Sequence, residues 1–511
     1  VNIQPPFSKN RELAALLVLL LGLIIFFHVA TALRGHGRYR DQHIGTALHY
    51  AATHFDLKDT AIVGFNATDT PTIQELPVWQ MAAGLAFKWF GPWWGWANIV
   101  SLILFLNCLY PLFRVAQQFY GDRAAWWALI FFLSQGLIFL YAGEAGTDGF
   151  CLCVAIWFWF ACWRLLENPK KWFLPAAALG TLTAVSKLPF FMMVGLASFF
   201  LLLKLHGFKW RPLATLAGVG VISGIMFLGW THYTDTAQAN AVFPYVDLRL
   251  NSPPTEGMTM KFWYFGDWHY RLNPANWAKA AWRFANVAFG SFTLILLFVV
   301  ALVNKRTHPA AKFFLAGGIL TTLVFSHLVL HHYNYLMLFS PATAVLCAVT
   351  LVEIEGFLAV HGINPRLVTT ASTVVLFLAL FQSLIAMRAF SFDHFPAVIT
   401  STIRDHTTGQ DKLIIINGGW GGDELIRSQR VGLSMWEANV FEDADKYAQL
   451  KKLGFDKLVI VSESPYQNAI QIVNPGETGI PRVMAKSYLT SLIEKWPTVY
   501  ATDDIIIKDI P

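Results

Sequence analysis

The chain has 511 residues, 55% of them hydrophobic and only 14% charged, where soluble domains carry about a quarter charged residues. That balance excludes a soluble enzyme or binding module. A net charge of +6 without any long basic run or basic helix also excludes a nucleic-acid-binding protein.

Apolar runs near the roughly 20 residues needed to cross hydrocarbon fall at 13–33, 95–113, 124–142, 149–166, 172–186, 189–205, 212–232, 286–303, 312–330, 335–352 and 367–387. The pattern predicts a polytopic α-helical membrane protein of about eleven spans. The first run is too long, and lacks the small-residue cleavage signal, for a removable signal peptide, so it reads as a retained helix. Lys and Arg set the orientation. Lys9, Arg11, Arg114, Arg123, the 164–171 and 204–211 connections, Lys305 to Lys312 and Arg366 fall on one side. The short loops 143–148, 187–188 and 331–334 on the other side hold only Lys187. The N-terminus is therefore expected inside, with basic connections facing anionic membrane lipids. An odd number of spans places everything after Met387 outside, in the periplasm of a bacterial inner (cytoplasmic) membrane. All five cysteines lie within spans, so the outer regions are expected to fold without a disulfide.

Two domains follow, 1–390 in the membrane with large outer loops 34–94 and 233–285, and a soluble extracytoplasmic domain at 391–511. The first outer loop predicts two surface helices. One runs from Gln42 to Phe55 with Ile44, Leu48, Ala51 and Phe55 along one side; the other runs from Pro77 to Phe90 with Val78, Met81, Ala82, Leu85 and Trp89. Such stripes suit helices lying in the headgroup layer. In the third region Lys412–Asn417 and Lys457–Ser462 read as buried strands and Ile505–Lys508 as a terminal strand. Asp443–Leu453 and Ser487–Lys495 read as helices, giving a small α/β layer structure. The turn Gly418-Gly-Trp-Gly-Gly422 lacks the spacing and the lysine of a phosphate loop.

Chemistry concentrates where the spans meet the outer side. The loop after the first span carries Arg34, Arg38 and Arg40 beside Asp41, against the usual scarcity of outer cations. Asp148 opens the fourth span, with Glu144 four residues before it. Carboxylates at membrane level are costly and mark function. Asp41 and Asp148 are the catalytic candidates, one as general base toward a hydroxyl and the other orienting it. A solvated Asp41–Arg pair and an Asp148 helix cap are the plainer readings. Arg38, Arg40, Lys187, His269, Arg271, His332, Tyr333 and Tyr335 stand at the same level as groups able to hold a phosphate. A divalent metal is allowed for, but the adjacent histidines 331 and 332 would point apart on a helix.

These residues resemble those of the C-superfamily (GT-C) membrane glycosyltransferases, in the branch holding protein O-mannosyltransferases and the lipid A aminoarabinose transferase. The aspartates after the first span and at the fourth match Asp41 and Asp148. Gly180 to Pro189 is similar to the family's G-x-x-x-L-x-K-G-P turn, Glu75-Leu-Pro-Val-Trp79 to its K-P-P-L segment, and Tyr333 to Pro341 to its Tyr-x-Leu-Pro stretch. The resemblance implies sugar transfer from a polyprenyl-phosphate donor to a lipid, glycan or protein hydroxyl on the outer face. Asp41 would be the base, and Glu75 would lie in the donor-binding segment. Three departures stand out: Gln42 where a second carboxylate is frequent, Glu75 or Leu76 in place of the lysine, and Leu188 in place of glycine. A lipid or solute transporter, or a non-catalytic scaffold subunit, is the alternative. Transporters keep polar groups at mid-membrane, whereas here they cluster at span ends.

Overall fold

The computed structural model describes residues 11–33, 41–52, 75–239, 260–304, 308–387, 397–416, 423–435, 448, 450–461, 495–503 and 505–511. The chain divides into two compact units. The first comprises Val1–Gly35, Asn98–His232 and Leu248–Ser391, and the second comprises His36–Ala97, Tyr233–Asp247 and Phe392–Pro511.

The helices follow the apolar runs. They are α1 (Arg11–Leu33), α2 (Asp41–Ala52), α3 (Val78–Phe90), α4 (Gly95–Leu106), α5 (Leu109–Tyr120), α6 (Asp122–Ser134) and α7 (Gly136–Tyr141). Next come α8 (Thr147–Glu167), α9 (Pro169–Ser186), α10 (Leu188–His206) and α11 (Trp210–Ala239). Within the second large loop, 233–285, come α12 (Met260–Phe265), α13 (Trp268–Leu272) and α14 (Pro274–Arg283), followed by α15 (Phe292–Val303), α16 (Ala310–Val324), α17 (Ser326–His331), α18 (Ser340–Val360) and α19 (Pro365–Met387).

Seven described helices are long and apolar enough to cross a membrane. An eighth span results if the bent pair Pro274–Phe289 and Phe292–Val303, which turns through 111°, counts as one. The three other expected spans are helical but broken or short. α6 gives way to α7 at Gln135, whose side-chain amide donates to the Ser340 carbonyl at 3.1 Å and to Thr343 Oγ1 at 3.0 Å. α9 has 18 residues and Pro175 inside it, and α16 stops after 15 at Phe325. The protein is thus a polytopic α-helical membrane protein with a small C-terminal sheet.

Burial sorts the spans of the first unit. α8 is 89% buried over its apolar window and α11 only 11%, so α8 lies inside the bundle and α11 turns its side chains outward, toward lipid. Without a hydrophobic drive between helices in lipid, small residues and interhelical hydrogen bonds hold such a bundle. A Cβ on Gly317 of α16 would lie 2.5 Å from the Met193 carbonyl oxygen of α10. Cys347 Sγ and Thr350 Oγ1 of α18 donate to the carbonyls of Leu294 and Leu297 on α15. At the other end of α18, Glu355 accepts two bonds from the Arg123 guanidinium and one from Ser372 at 2.8 Å, fixing α6, α18 and α19 together.

In the second unit α2 and α3 pack closely. A Cβ on Gly84 would sit 2.9 Å from the Ala47 carbonyl, and Gln80 Nε2 lies 2.9 Å from His43 Nδ1 in the buried seam. The residues buried on α3 are Trp79, Gln80, Ala83, Gly84, Ala86 and Phe87. The apolar stripe picked from sequence is therefore its more open side: Trp89 is exposed, and Val78, Met81, Ala82 and Leu85 are half-buried. The small residues on the buried side let the two helices approach, a signal that hydrophobicity alone does not carry.

The C-terminal part holds α20 (Ala397–His406) and α21 (Asp423–Ser428) against strands β1 (Lys412–Ile416), β2 (Val431–Met435), β3 (Lys457–Val461), β4 (Thr498–Ala501) and β5 (Ile505–Asp509). The sheet order is β2-β1-β3-β5-β4. β1 runs parallel to β2 and β3, and β5 runs antiparallel to β3 and β4. Leu413, Ile415, Val459, Val461, Ile505 and Ile507 pack with Ile399, Ile403 and Leu425 into its core. Across β3 and β5 Lys457 donates to Asp509 directly opposite, which pushes the lysine above its usual value. The expected strands at 412, 457 and 505 are present, while β2 and β4 add to them. Of the expected helix 443–453, residues 448 and 450–452 are described and helical. The 418–422 turn and nearly all of 487–495 lie outside the described residues. α2, which begins at Asp41, packs on α21.

Gly317→Ala should force α10 and α16 apart and cost about 1–3 kcal/mol. Thermal unfolding of the purified protein in detergent measures this. An unchanged or raised midpoint would mean the helices do not approach through Gly317.

Candidate functional site

Two predicted residues meet in the first unit. Asp148 stands in the first turn of α8, where a helix favours negative charge. Lys187 is the single residue between α9 and α10, with extended backbone (φ −155°, ψ 102°) and Pro189 close behind it in the first turn of α10. Its N–H donates to the Thr183 carbonyl at 2.8 Å, and its carbonyl accepts from the Phe190 N–H at 3.0 Å, so the reversal leaves neither group open. Lys187 Nζ donates to Asp148 Oδ1. The two side chains are 5% and 2% exposed. Removing either partner of such a pair leaves an uncompensated charge out of water. The Tyr335 ring lies 4.8 Å from Lys187 Nζ, in cation–π contact.

The chain leading into Asp148 is pinned from two sides. Asn98 Nδ2 donates to the Gly143 carbonyl at 2.6 Å. His28 Nε2, on α1, bonds the Phe139 carbonyl at 2.8 Å. The His28 ring covers Gly143 so closely that a Cβ there would lie 2.4 Å from it. Glu144, next in the chain, is 4% exposed. Sequence reasoning missed His28 and Asn98, although a lone polar residue inside an apolar run is a signal of this kind.

From Tyr335 an aromatic string continues. His332 lies 6.3 Å from Tyr335 and 5.2 Å from Trp263, and His327 lies 5.3 Å from Trp263 and 4.7 Å from Tyr270. His327 Nδ1 bonds the Trp263 carbonyl at 2.9 Å. The second outer loop is thereby laid over the start of the 3₁₀ stretch Tyr333–Phe339. Arg271, on α13, donates from Nε to the Phe265 carbonyl at 2.9 Å and from one terminal nitrogen to the Val324 carbonyl at 3.1 Å. Its guanidinium also lies over Trp268. The other terminal nitrogen, Nη1, has no hydrogen bond among the described residues. Arg283, which the sequence did not single out, is buried and donates to the Leu330 carbonyl at 2.8 Å.

The remaining candidates are placed as follows. His269 is exposed on α13. Asp41 is the first residue of α2, and Glu75 is half-buried just before Pro77, which caps α3; both belong to the second unit. Arg38 and Arg40, and the side chains of Asp41 and Tyr333, lie outside the described residues. No group of three or more His, Cys, Asp or Glu side chains is placed to hold a metal ion among the described residues.

No protein-family model and no curated protein sequence matches the chain. Solved structures do. ArnT from Cupriavidus metallidurans bound to undecaprenyl phosphate is similar with a TM-score of 0.59 at 13% identity, over 96% of this chain and 97% of that one. The apo state of the same protein gives 0.58 at 12% identity with the same coverage. The apo oligosaccharyltransferase of Archaeoglobus fulgidus gives 0.52 at 9% identity, over 91% of this chain and 71% of that one. ArnT is the lipid A aminoarabinose transferase, and both proteins are GT-C glycosyltransferases. The chain has the GT-C fold.

Lys187→Met or Asp148→Asn alone should destabilise the protein by about 3–5 kcal/mol, because each leaves the other charge buried. The double variant should lose less than either single one. Thermal unfolding of all three in one detergent closes the cycle. Additive losses would show that the two side chains do not interact.

Proposed function

We propose that the protein is a membrane glycosyltransferase that moves a sugar from a polyprenyl-phosphate carrier to a hydroxyl of a lipid, glycan or protein on the outer face of a bacterial inner membrane. The observation that carries this reading is the correspondence of fold over 96% of the chain with a transferase solved with undecaprenyl phosphate bound. The charged residues at span ends support it independently, since neither a lipid-facing scaffold nor a mid-membrane transport site needs them there.

In this reading Asp41 accepts the proton of the acceptor hydroxyl as its oxygen attacks the anomeric carbon. The bond from that carbon to the carrier's phosphate oxygen breaks, and the phosphate leaves with the electron pair. Arg271 serves the leaving phosphate through Nη1, its other bonds holding the guanidinium in place. Arg38, Arg40, His269, His332, Tyr333 and Tyr335 complete the donor set. Asp148 holds Lys187 in position. Glu75 stands where the family resemblance expects a lysine. That substitution favours the second reading, a non-catalytic scaffold subunit with this fold.

Mass spectrometry of lipids that co-purify with the protein tests the donor. A polyprenyl phosphate or its glycoside is expected, and only ordinary phospholipids would count against it. Arg271→Ala should weaken binding of that lipid by about ten- to a hundredfold. Unchanged affinity would remove Arg271 from the donor site.

Asp41→Asn keeps the shape of the side chain but cannot take the proton. Transfer should slow by about 10²–10⁴-fold while polyprenyl-phosphate binding persists. Full turnover by the folded Asn variant would end the assignment of Asp41 as base. A wild-type protein that shows neither polyprenyl-phosphate binding nor transfer to any hydroxyl acceptor would favour the subunit reading.

A further inference from the structure

Several described cations at the ends of the spans opposite to Asp148 are satisfied within the chain. Arg123 is clasped by Glu355, and Arg164 by Glu167 at 2.6 Å. Arg114 bonds Gln117, which in turn bonds Asp122. Lys312 donates to the carbonyls of Leu302 and Asn304. One group has no such partner among the described residues. From Asn168 to Thr234 the sequence contains no Asp or Glu. In that stretch Lys170 and Lys171 open α9, Lys204 lies near the end of α10, Lys209 stands in the turn and Arg211 begins α11. All five side chains are exposed, and no carboxylate pairs with any of them among the described residues.

The helices bring these ends together. α9 and α10 are antiparallel neighbours, and α11 packs on α9, with Ser223 against Gly180 and Phe173 against Gly218. Gly207, at φ 65°, closes α10 and lets α11 begin within three residues. The turn carries Phe208 and Trp210, 82% and 71% exposed, and Leu174 near the start of α9 is 76% exposed. The Arg211 guanidinium lies 5.7 Å from the Trp210 ring. Aromatic rings alternating with uncompensated cations at the end of a span match the headgroup layer on one side and acyl chains on the other.

We infer that the α9 start and the α10–α11 turn form a binding site for an anionic phospholipid of the leaflet opposite to Asp148. Lys204, Lys209 and Arg211 hold its phosphate, and Phe208 and Trp210 flank its glycerol and upper acyl carbons. Charge complementarity selects this occupant. A zwitterionic lipid brings its own cation and leaves the cluster uncompensated, and a free anion makes no use of the exposed rings.

The full chain, purified in a non-ionic detergent, is titrated with phosphatidylglycerol and in parallel with phosphatidylcholine, and bound lipids are counted by native mass spectrometry. Phosphatidylglycerol should bind more tightly. Each cation near the surface contributes roughly a fivefold gain, so K209A/R211A should weaken phosphatidylglycerol by roughly ten- to thirtyfold and leave phosphatidylcholine unchanged. The charge-matched R114A/R164A, at cations already satisfied internally, should stay within about twofold of wild type. Excess inorganic phosphate should not displace the lipid. Equal binding of the two lipids, equal losses in the two double variants, or displacement by phosphate would each overturn the site. If K209A/R211A does not fold, K209Q/R211Q keeps longer polar side chains and is read by the same criteria.

Discussion

The bundle around the candidate site depends on one constraint: a carboxylate and an ammonium have both been taken out of water where the spans end. Neither Asp148 nor Lys187 is stable there alone, because the penalty for an isolated buried ion is several kcal/mol. Their attraction strengthens as the surroundings lose polarity. The pair therefore fixes the start of α8 against the α9–α10 reversal. Everything that touches it inherits that register. Tyr335 covers the ammonium, His332 and Trp263 follow Tyr335, and the second outer loop is laid on by those rings.

The opposite end of the bundle repeats the device with different chemistry. Arg123 meets Glu355 through two parallel bonds, and Ser372 fills another acceptor position. A guanidinium holds a carboxylate in a fixed plane, which an ammonium cannot do. α18 is thus set near its C-terminal end by a rigid fork. Its start is set by Gln135, which bonds the main chain of Ser340 and the side chain of Thr343. Gln135 is also where α6 breaks into α7. A break in a span frees backbone groups that lipid cannot satisfy, and here it falls where α6 faces α18, inside the protein.

How much of this was legible in the sequence varied by residue type. Span positions were readable because apolar length is a direct physical requirement of the bilayer. Even so, length alone did not separate α16, which ends at Phe325, from α8, which runs on inside the bundle. Asp148 and Lys187 were each singled out as chemically active. That they neutralise each other was not visible, since they are far apart in sequence and nothing in either segment encodes the approach of α8 to the α9–α10 turn. The side of α3 that packs on α2 was not marked in the sequence, because Gly84, Ala83 and Gln80 carry little hydrophobic signal. Small size and a buried bond to His43 place them inward instead. His28, Asn98 and Gln135 were visible as polar residues within apolar runs. What they bond could only come from the fold.

The pairing of Lys187 narrows where a phosphate could find positive charge. A lysine whose ammonium already faces a carboxylate brings little net field to an incoming dianion. Counted as a candidate donor contact from its position, it becomes in the structure a partner of Asp148. Glu75 removes a second expected cation and adds a negative charge. In the proposed donor site, that task falls to Arg271. It is permanently charged, oriented by the carbonyls of Phe265 and Val324, and stacked on Trp268. An arginine held in this way presents one nitrogen and not a two-pronged fork, so it would meet a phosphate through a single donor atom.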